Sequence, residues 1–178
     1  MKHFYKEIQN WFNYESVFDM AIRNANDGAK FVEIGVWKGG STAYMGVEIY
    51  NSKKAIQYDA IDTFEGSIEH GEVHGLYEEA LENLKPLIDL KVVNLIKGHS
   101  QEVVNMYADG SIDFCFIDGS HEYEDVKADI LAYLPKVKNG GILSGHDYDR
   151  IWSGVIQAVD EILVDVQVIN GSWVYRKN

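Results

Sequence analysis

The sequence predicts an α/β fold, a three-layer sandwich in which helices cover both faces of a mostly parallel sheet of about seven strands. Two observations predict it. Short apolar runs alternate along the chain with segments of helical periodicity, which is the pattern of successive β-α-β units. Near the end of the chain, two β-prone runs flank Asn170-Gly171, a strong hairpin signal, so the sheet is expected to finish in an antiparallel hairpin.

The chain is expected to form one domain over residues 1–178. Its 178 residues, 46% of them hydrophobic, suffice for one sizeable core but are few for two. Apolar side chains recur at helical spacing before residue 28, which predicts two short N-terminal helices within 1–28. The aromatic residues among them are most simply core or a subunit contact, and a direct role in substrate binding is the alternative. A homo-oligomer is left open.

A strand that leads into a glycine-rich turn and a helix starts at Phe31. The β-prone run Phe31 to Ile34 is followed by glycines at 35, 39 and 40, and Ser41-Thr42 stand where a helix N-cap is expected. Without a Cβ, the glycines would let the backbone approach a ligand, and the N–H groups at the helix start would face it. The alternative is that the glycines serve the architecture alone.

The glycine spacing narrows the class of ligand. A dinucleotide fingerprint reads G-x-G-x-x-G, whereas this turn reads Gly35-x-x-x-Gly39-Gly40 and fits a pyrophosphate poorly. Glu33, two residues before the first glycine, suits a cationic amino group, and Ser41 with the neighbouring N–H groups suits a carboxylate. The turn therefore favours a ligand that contains an amino acid.

The second strand is expected over 55–62 and ends in Asp62-Thr63. In an open parallel sheet, ligands bind outside the carboxyl ends of the strands. Asp62 is therefore expected beside Gly35, where it would meet nucleoside hydroxyls. A helix cap or a solvated turn acid is the alternative for this residue.

Residues 64–76 are predicted to form a loop over the site. Two of its histidines, His70 and His74, have the i, i+4 spacing of a metal pair on a helix. Glycines at 71 and 75 argue against a helix there, so the sequence favours exposed loop histidines.

The following segments alternate again between helix and strand. A helix from Leu76 is expected to break near Pro86, and a third strand is expected over 92–97. The next turn contains Ser100-Gln101, in which Ser100 is expected to cap a helix and the hydroxyl and amide groups suit the edge of a purine ring. Farther on, Asn139-Gly140-Gly141 is expected to form the loop before a fifth strand.

Two of the later strands end in acidic residues. The apolar run 112–118 ends in Asp118, and a strand over 142–144 leads to Asp147. Neighbouring strands lie about 4.8 Å apart, so the two carboxylates could share one Mg²⁺ ion, which prefers oxygen ligands. His121, three residues beyond Asp118, is placed to take a proton. The alternatives are helix capping for the two acids and plain hydrogen bonding for His121.

Charge and cysteine content exclude several classes of protein. The formal net charge of −12 and the sequence pI near 4.8 lack the basic footprint of a nucleic-acid binder and disfavour anionic membrane surfaces. The single cysteine, Cys115, lies in an apolar run, which predicts an inert buried thiol and fits a reducing compartment. No apolar stretch resembles a signal peptide or a membrane span. A soluble cytoplasmic protein with a small-molecule partner is expected.

These motifs carry a resemblance to a known family. The turn from Gly35 resembles the first motif of the class I S-adenosylmethionine-dependent methyltransferases. The segments Ile117 to Tyr123 and Gly140 to Tyr148 look like the metal-dependent O-methyltransferases of the macrocin and mycinamicin sugar type. Gly98-His99-Ser100-Gln101 is similar to the adenine-binding turn of the catechol type. The resemblance runs from about Phe31 to the C-terminus and implies a Rossmann-like fold.

The resemblance also implies site residues. Catechol enzymes have a lysine at the position of His121 and an amide ligand at that of Tyr148, and the sugar enzymes have an acid at that of His146. The third protein ligand of the metal is therefore open, with His146 as the candidate. The implied roles are Glu33, Gly35, Trp37, Gly39 and Ser41 around the methionine part, Asp62 and Thr63 at the ribose, Ser100 and Gln101 at the adenine, Asp118 beside both donor and metal, Asp147 and His146 on the metal, and His121 as general base.

The implied activity is transfer of a methyl group from S-adenosylmethionine to a hydroxyl of a small molecule or a sugar, with a divalent cation, Mg²⁺, as second cofactor. Two alternatives are kept. One is a non-catalytic protein that binds S-adenosylmethionine and has a degenerate metal site. The other is a nicotinamide-dependent oxidoreductase, which the glycine spacing disfavours.

Overall fold

The computed structural model describes residues 1–66 and 73–178. The strands in these ranges are β1 (Lys30–Ile34), β2 (Gln57–Asp62), β3 (Val93–Lys97), β4 (Ile112–Ile117), β5 (Val137–Gly145), β6 (Gln167–Ile169) and β7 (Ser172–Arg176). The helices are α1 (Glu15–Asn24), α2 (Gly40–Ser52), α3 (Leu76–Asp89), α4 (Ser100–Val103), α5 (Tyr123–Tyr133) and α6 (Ser153–Ile162), with 3-10 turns at Tyr5–Glu7 and Val104–Met106. None of these helices has both the length and the apolar character that crossing a bilayer requires.

The strands form one sheet in the order β3-β2-β1-β4-β5-β7-β6. The first five are parallel, β7 runs antiparallel to β5, and β6 runs antiparallel to β7. Asn170 (φ 50°) and Gly171 (φ 78°) form the hairpin turn, both in the left-handed region that a tight hairpin favours. The predicted fold class, including the antiparallel hairpin, is confirmed. Because the strand order reverses between β1 and β4, a crevice opens at their carboxyl ends.

The central strands pack against a separate core on each face of the sheet. Phe31, Phe114 and Phe116 belong to the core that α1, α2 and α3 cover. Val32, Ile34 and the buried thiol Cys115 belong to the core beneath α5 and α6. Burial on both faces explains why these strands read as nearly continuous apolar runs.

The N-terminal segment differs from its prediction, because among the described residues α1 is the only α-helix before β1. The earlier apolar pattern belongs to a segment with a single 3-10 turn at Tyr5–Glu7. The side-chain amide of Asn10 donates to the carbonyls of Tyr5 and Ile8, and its Oδ1 accepts from the N–H of Phe12. These bonds satisfy the backbone locally and compete with a helix.

Two helix predictions are also wrong. Helix α3 continues through Pro86, because the buried Leu84 and Leu87 hold it to the core and outweigh the lost hydrogen bond. Ser41 does not cap α2 but lies inside it. Gly39 occupies the N-cap position with a φ of 93°, a left-handed conformation that favours glycine.

Strand β5 starts earlier than predicted and includes the Asn139-Gly140-Gly141 stretch. The N–H of Gly140 donates to the carbonyl of Lys177, and the N–H of Lys177 donates to the carbonyl of Gly141. The pairing register with β4 shifts at this point, so a bulge accommodates the glycines. Glycine composition alone could not distinguish this bulge from a loop.

Candidate functional site

A cleft of about 480 Å³ opens at the carboxyl ends of β1, β2 and β4. It lies at the point where the strand order reverses, as expected for an open parallel sheet. The sequence-predicted residues that line it are Gly35, Trp37, Asp62, Thr63, Ser100, Gln101, Asp118 and His121.

Asp62 organises the glycine-rich turn at the floor of this cleft. Its Oδ2 accepts hydrogen bonds from the N–H groups of Val36 and Trp37 at 2.7 and 2.9 Å, and its Oδ1 accepts from the N–H of Phe64 at 2.7 Å. Two N–H groups of the turn, ahead of the start of α2, are therefore bonded to this carboxylate. A carboxylate has about four acceptor positions, so a further hydroxyl can still be accommodated.

Gly35 allows two chain segments to approach each other at the strand ends. A Cβ at this position would lie 1.9 Å from the backbone oxygen of Asp118. Glycine is therefore required by the protein itself, and its φ of 92° adds a second reason. The turn and the Asp118 segment thus form one continuous wall.

Glu33 and Ser41 lie behind this wall and bond to each other. Glu33 is 1% exposed, and its carboxylate accepts hydrogen bonds from Ser41 Oγ and Thr42 Oγ1, both at 2.6 Å, and from the Tyr58 hydroxyl. Burial raises the pKa of Glu33 to about 7, although the three hydrogen bonds oppose the rise. Neither residue lines the cleft, and Gly39, also assigned to the donor pocket from sequence, faces Leu84.

Ser100 and Gln101 form the opposite end of the cleft, at the start of α4. Ser100 is the first helical residue and His99 is the N-cap, so the Ser100 hydroxyl does not cap its own helix. It donates instead to Asp129 Oδ1 of α5 at 2.5 Å, and Gln101 Nε2 donates to the same oxygen at 2.7 Å. Asp129 is 7% exposed, and burial raises its pKa while these two bonds oppose the rise.

Two carboxylates and an imidazole converge beside the cleft. Residues Ile117 and Gly145 are partners in neighbouring strands, which brings Asp118 next to His146 and Asp147. His146 Nδ1 lies 3.2 Å from Asp147 Oδ1 and 3.9 Å from Asp118 Oδ1, and one ligand atom from each residue falls within 4.8 Å of the others. Two carboxylates with one imidazole fit a divalent cation such as Mg²⁺ or Mn²⁺.

His121 adjoins this cluster from the start of the α5 segment. Its Nε2 lies 2.8 Å from Asp147 Oδ2, and its ring stacks on Trp152 with 3.8 Å between the ring centroids and 17° between the planes. The ring orientation is thus fixed from two sides. In the neutral form, the Nε2–H donates to Asp147 and the lone pair lies on Nδ1.

The two acids of the cluster have opposite pKa shifts. Burial raises the pKa of Asp118 to about 6, and the charge of Asp147 adds to the rise. Burial opposes a fall at Asp147, but hydrogen bonds from His121 and His146 hold its pKa well below the usual range. His146 has a raised pKa because its bond to Asp147 and the nearby Asp118 charge outweigh its burial. The cluster therefore keeps one permanent negative charge and one adjustable one.

A family model described as "Methyltransferase domain" matches residues 32–148, which include the turn, the Ser100 segment and the acidic cluster. The chain belongs to this methyltransferase family. The family supports use of S-adenosylmethionine as the methyl donor, and the predicted class I methyltransferase fold is confirmed.

Two curated relatives are Uncharacterized protein y4gI of Sinorhizobium fredii, 26% identical over 147 residues, and Uncharacterized protein R132 of Acanthamoeba polyphaga mimivirus, 32% identical over 149 residues. The matches cover 82% and 79% of this chain but only 16% and 62% of those two proteins.

Solved structures, among them two methyltransferases, share the fold at low sequence identity. The calicheamicin methyltransferase CalS11 has a TM-score of 0.67 and 16% identity, covering 91% of this chain and 76% of that one. The O-methyltransferase NovP has a TM-score of 0.67 and 17% identity, covering 92% and 78%. Cofactor-bound Rv0187 from MTB has a TM-score of 0.69 and 15% identity, covering 97% and 85%. At these identities the likeness concerns the fold.

Several residues of the candidate site could not be found by sequence reasoning. Tyr14 donates its hydroxyl hydrogen to Asp118 Oδ2 at 2.6 Å from 104 positions away, which no local pattern signals. Asp129 could have been suspected, because it is an acid beside the apolar stripe of a predicted helix. Trp152 gave no signal. His70 lies outside the described residues, so the expectation that His70 and His74 are exposed loop histidines, not a metal pair, stays a sequence prediction.

Proposed function

We propose that this domain transfers the methyl group of S-adenosylmethionine to a hydroxyl of a small molecule or a sugar, assisted by a divalent cation, most naturally Mg²⁺. The observation that carries the proposal is the cluster of Asp118, His146 and Asp147 beside a cleft at the strand-order reversal. In the proposal these three side chains hold the cation. When bound, the donor supplies an electrophilic methyl group, and the cation lowers the pKa of the hydroxyl that it contacts.

The donor would lie along the cleft from Gly35 to Gln101. Asp62 accepts from the ribose hydroxyls with the acceptor capacity that its three backbone N–H bonds leave. Ser100 and Gln101 face the adenine, and Trp37 with Thr63 closes the cleft wall. The start of α2, behind the cleft wall, is fixed by residues that do not contact the donor. Glu33 and Ser41 bond to each other there, and Gly39 supplies the left-handed N-cap.

His121 is proposed as the general base. Its imidazole lines the cleft beside the proposed cation site, and a neutral imidazole can take up the proton of the acceptor hydroxyl. Stacking on Trp152 fixes the plane of the ring, so the imidazole keeps one orientation. Asp147 also stabilises the imidazolium that results, because its carboxylate is ionised throughout the neutral pH range.

The acceptor is proposed to be small and not polyanionic. A net charge of −12 repels nucleic acids and anionic membranes, and the acids of the cluster lie next to the place where the hydroxyl must enter. The single buried Cys115 fits the expected reducing cytoplasm.

The test combines binding and turnover. Calorimetry should show that S-adenosylhomocysteine binds and that NADH does not. Radiolabelled methyl transfer to a panel of sugars, alcohols and phenols should stop in EDTA and resume with Mg²⁺ or Mn²⁺. No binding of S-adenosylhomocysteine would overturn the donor assignment, and binding without turnover on the panel would favour the non-catalytic alternative. Full activity in EDTA would remove the cation from the mechanism.

A further inference from the structure

Asp129 is a buried carboxylate at the Ser100–Gln101 end of the cleft, and neither the family match nor the sequence motifs assign it a role. It lines the cleft although it is only 7% exposed. Its Oδ1 receives two hydrogen bonds, from Ser100 Oγ at 2.5 Å and from Gln101 Nε2 at 2.7 Å. Carboxylates are rarely buried unless well-placed hydrogen-bond donors or cations satisfy them, so the two hydrogen bonds to Asp129 indicate a specific role for this side chain.

The bond to Asp129 decides which end of the Gln101 amide faces the cleft. A side-chain amide has a donor end and an acceptor end, and an ionised carboxylate can only accept. The NH₂ group of Gln101 donates to Asp129 Oδ1 at 2.7 Å, which leaves Oε1 as the acceptor. The hydrogen of the Ser100 hydroxyl is directed to the same oxygen. The turn itself is held by the Tyr133 hydroxyl, which donates to the Ser100 carbonyl at 3.0 Å.

We propose that Asp129 is a positioning residue that makes this end of the cleft selective for a purine with an amino group at position 6. This inference rests on the proposed function, in which the adenine of the donor lies against Ser100 and Gln101. The 6-amino group of adenine donates to Gln101 Oε1. Hypoxanthine has a carbonyl oxygen at the same position, and two acceptors facing each other cannot form a hydrogen bond.

The alternative explanation is that Asp129 serves only the packing of α4 on α5. Packing alone would not depend on the direction of the Gln101 amide. The substitution Asp129→Asn separates the two explanations, because an asparagine side chain fills the same space and can meet either end of that amide. Gln101 could then turn its NH₂ group to a 6-carbonyl oxygen.

The experiment compares S-adenosylhomocysteine with its 6-oxo analogue, S-inosylhomocysteine, by calorimetry. The parent should bind the adenine compound about tenfold or more tightly than the analogue, since a mismatched polar contact costs about that much. In Asp129→Asn the ratio should fall to about threefold or less. The control Asp125→Asn removes a charge from the same helix and the same cleft, where Asp125 bonds to Ser120, and should leave the ratio unchanged.

Gln101→Leu is the second variant, because Gln101 is exposed and its replacement leaves the core intact. It should lower the ratio even if Asp129→Asn does not fold. An unchanged ratio in Gln101→Leu, or in a folded Asp129→Asn, would overturn the inference and leave the proposed function standing. If the parent does not bind S-adenosylhomocysteine at all, the proposed function and the inference both fall.

Discussion

Glu33 and Asp147 are both carboxylates on the same sheet, but they are satisfied by different kinds of partner. Glu33 accepts from three hydroxyl groups, Ser41, Thr42 and Tyr58, which cannot change charge near neutral pH. Asp147 accepts from two imidazoles, His121 and His146, which can. The pKa of Glu33 is raised to about 7, whereas that of Asp147 is held well below its usual range. The Glu33 group with its three hydroxyl partners is the closed cluster. The open cluster is the group of Asp118, His121, His146 and Asp147, which contains imidazoles that can gain or lose protons.

The positions of the two acids on their strands explain the difference. Glu33 is inside β1, where its side chain is covered by α2 and nine of the thirteen α2 residues are buried. Asp147 follows the end of β5, has a φ of 58° and lies within reach of the imidazoles of His121 and His146. A shift of a few residues past a strand end thus changes a core acid into a site acid.

The largest effect is expected from the open cluster. Asp118→Asn and Asp147→Asn each keep the shape but remove a charge that a divalent cation needs, so Mn²⁺ affinity should fall about 100-fold or more and cation-dependent turnover should be abolished. Calorimetric Mn²⁺ titration measures the binding independently of turnover.

Asp109→Asn is the matched control, since it removes an exposed acid that pairs with Lys136 far from the cluster. It should leave Mn²⁺ affinity intact. Unchanged affinity in both cluster variants would show that the two aspartates serve the fold or the substrate directly, and the contrast with Glu33 would lose its functional meaning.

The second prediction addresses the closed cluster. Glu33→Ala leaves three buried hydroxyls without their acceptor and opens a cavity, so the free energy of unfolding should fall by on the order of 3 kcal/mol or more. Urea denaturation measures it. Mn²⁺ affinity of the folded fraction should stay close to that of the parent. A large loss of Mn²⁺ affinity with unchanged stability would reverse the assignment of the two clusters.

The third prediction concerns pH. Glu33 has a folded pKa of about 7 against an ordinary value of 4.5, so the folded state binds more protons than the unfolded state between these values. Stability is therefore expected to fall as pH rises from 4.5 to 7, by up to roughly 3 kcal/mol from this group. Asp118 contributes in the same direction, whereas the contribution of Asp147 falls mostly below this interval, because its pKa is held well below the usual range. The informative quantity is thus the difference between the parent and Glu33→Gln, whose stability should depend less on pH over this interval. Identical pH profiles in urea denaturation would contradict the raised pKa.

Sequence periodicity predicted the fold well, because parallel strands buried on both faces have an unmistakable apolar pattern. It also predicted that Asp62 would lie beside Gly35 and that Asp118 would lie close to Asp147, since parallel strands end at one edge of a sheet. It did not show that Glu33 and Ser41 would bond to each other behind the cleft wall, because strand position does not reveal that a helix will cover the acid. Asp129 and Tyr14 were not predicted for a different reason, because their hydrogen-bond partners come from distant parts of the chain. Which distant residues come into contact is decided by the packing of the folded chain, and a single sequence does not show that packing.

The smallest effect is expected at Tyr14, where the N-terminal segment touches the open cluster from outside the matched family region. Its hydroxyl donates to Asp118 Oδ2 at 2.6 Å, and its ring stacks on Phe116 with 4.7 Å between centroids. Tyr14→Phe keeps the ring and removes one hydrogen bond to a carboxylate. Mn²⁺ affinity should fall about tenfold and the free energy of unfolding should change by about 1 kcal/mol. Tyr44→Phe is the control, since it removes a comparable bond to Asp19 away from the cluster and should change stability alone. Equal Mn²⁺ affinities in the two variants would mean that the cluster is complete without the N-terminal segment, whereas a difference would extend the functional unit beyond the family domain.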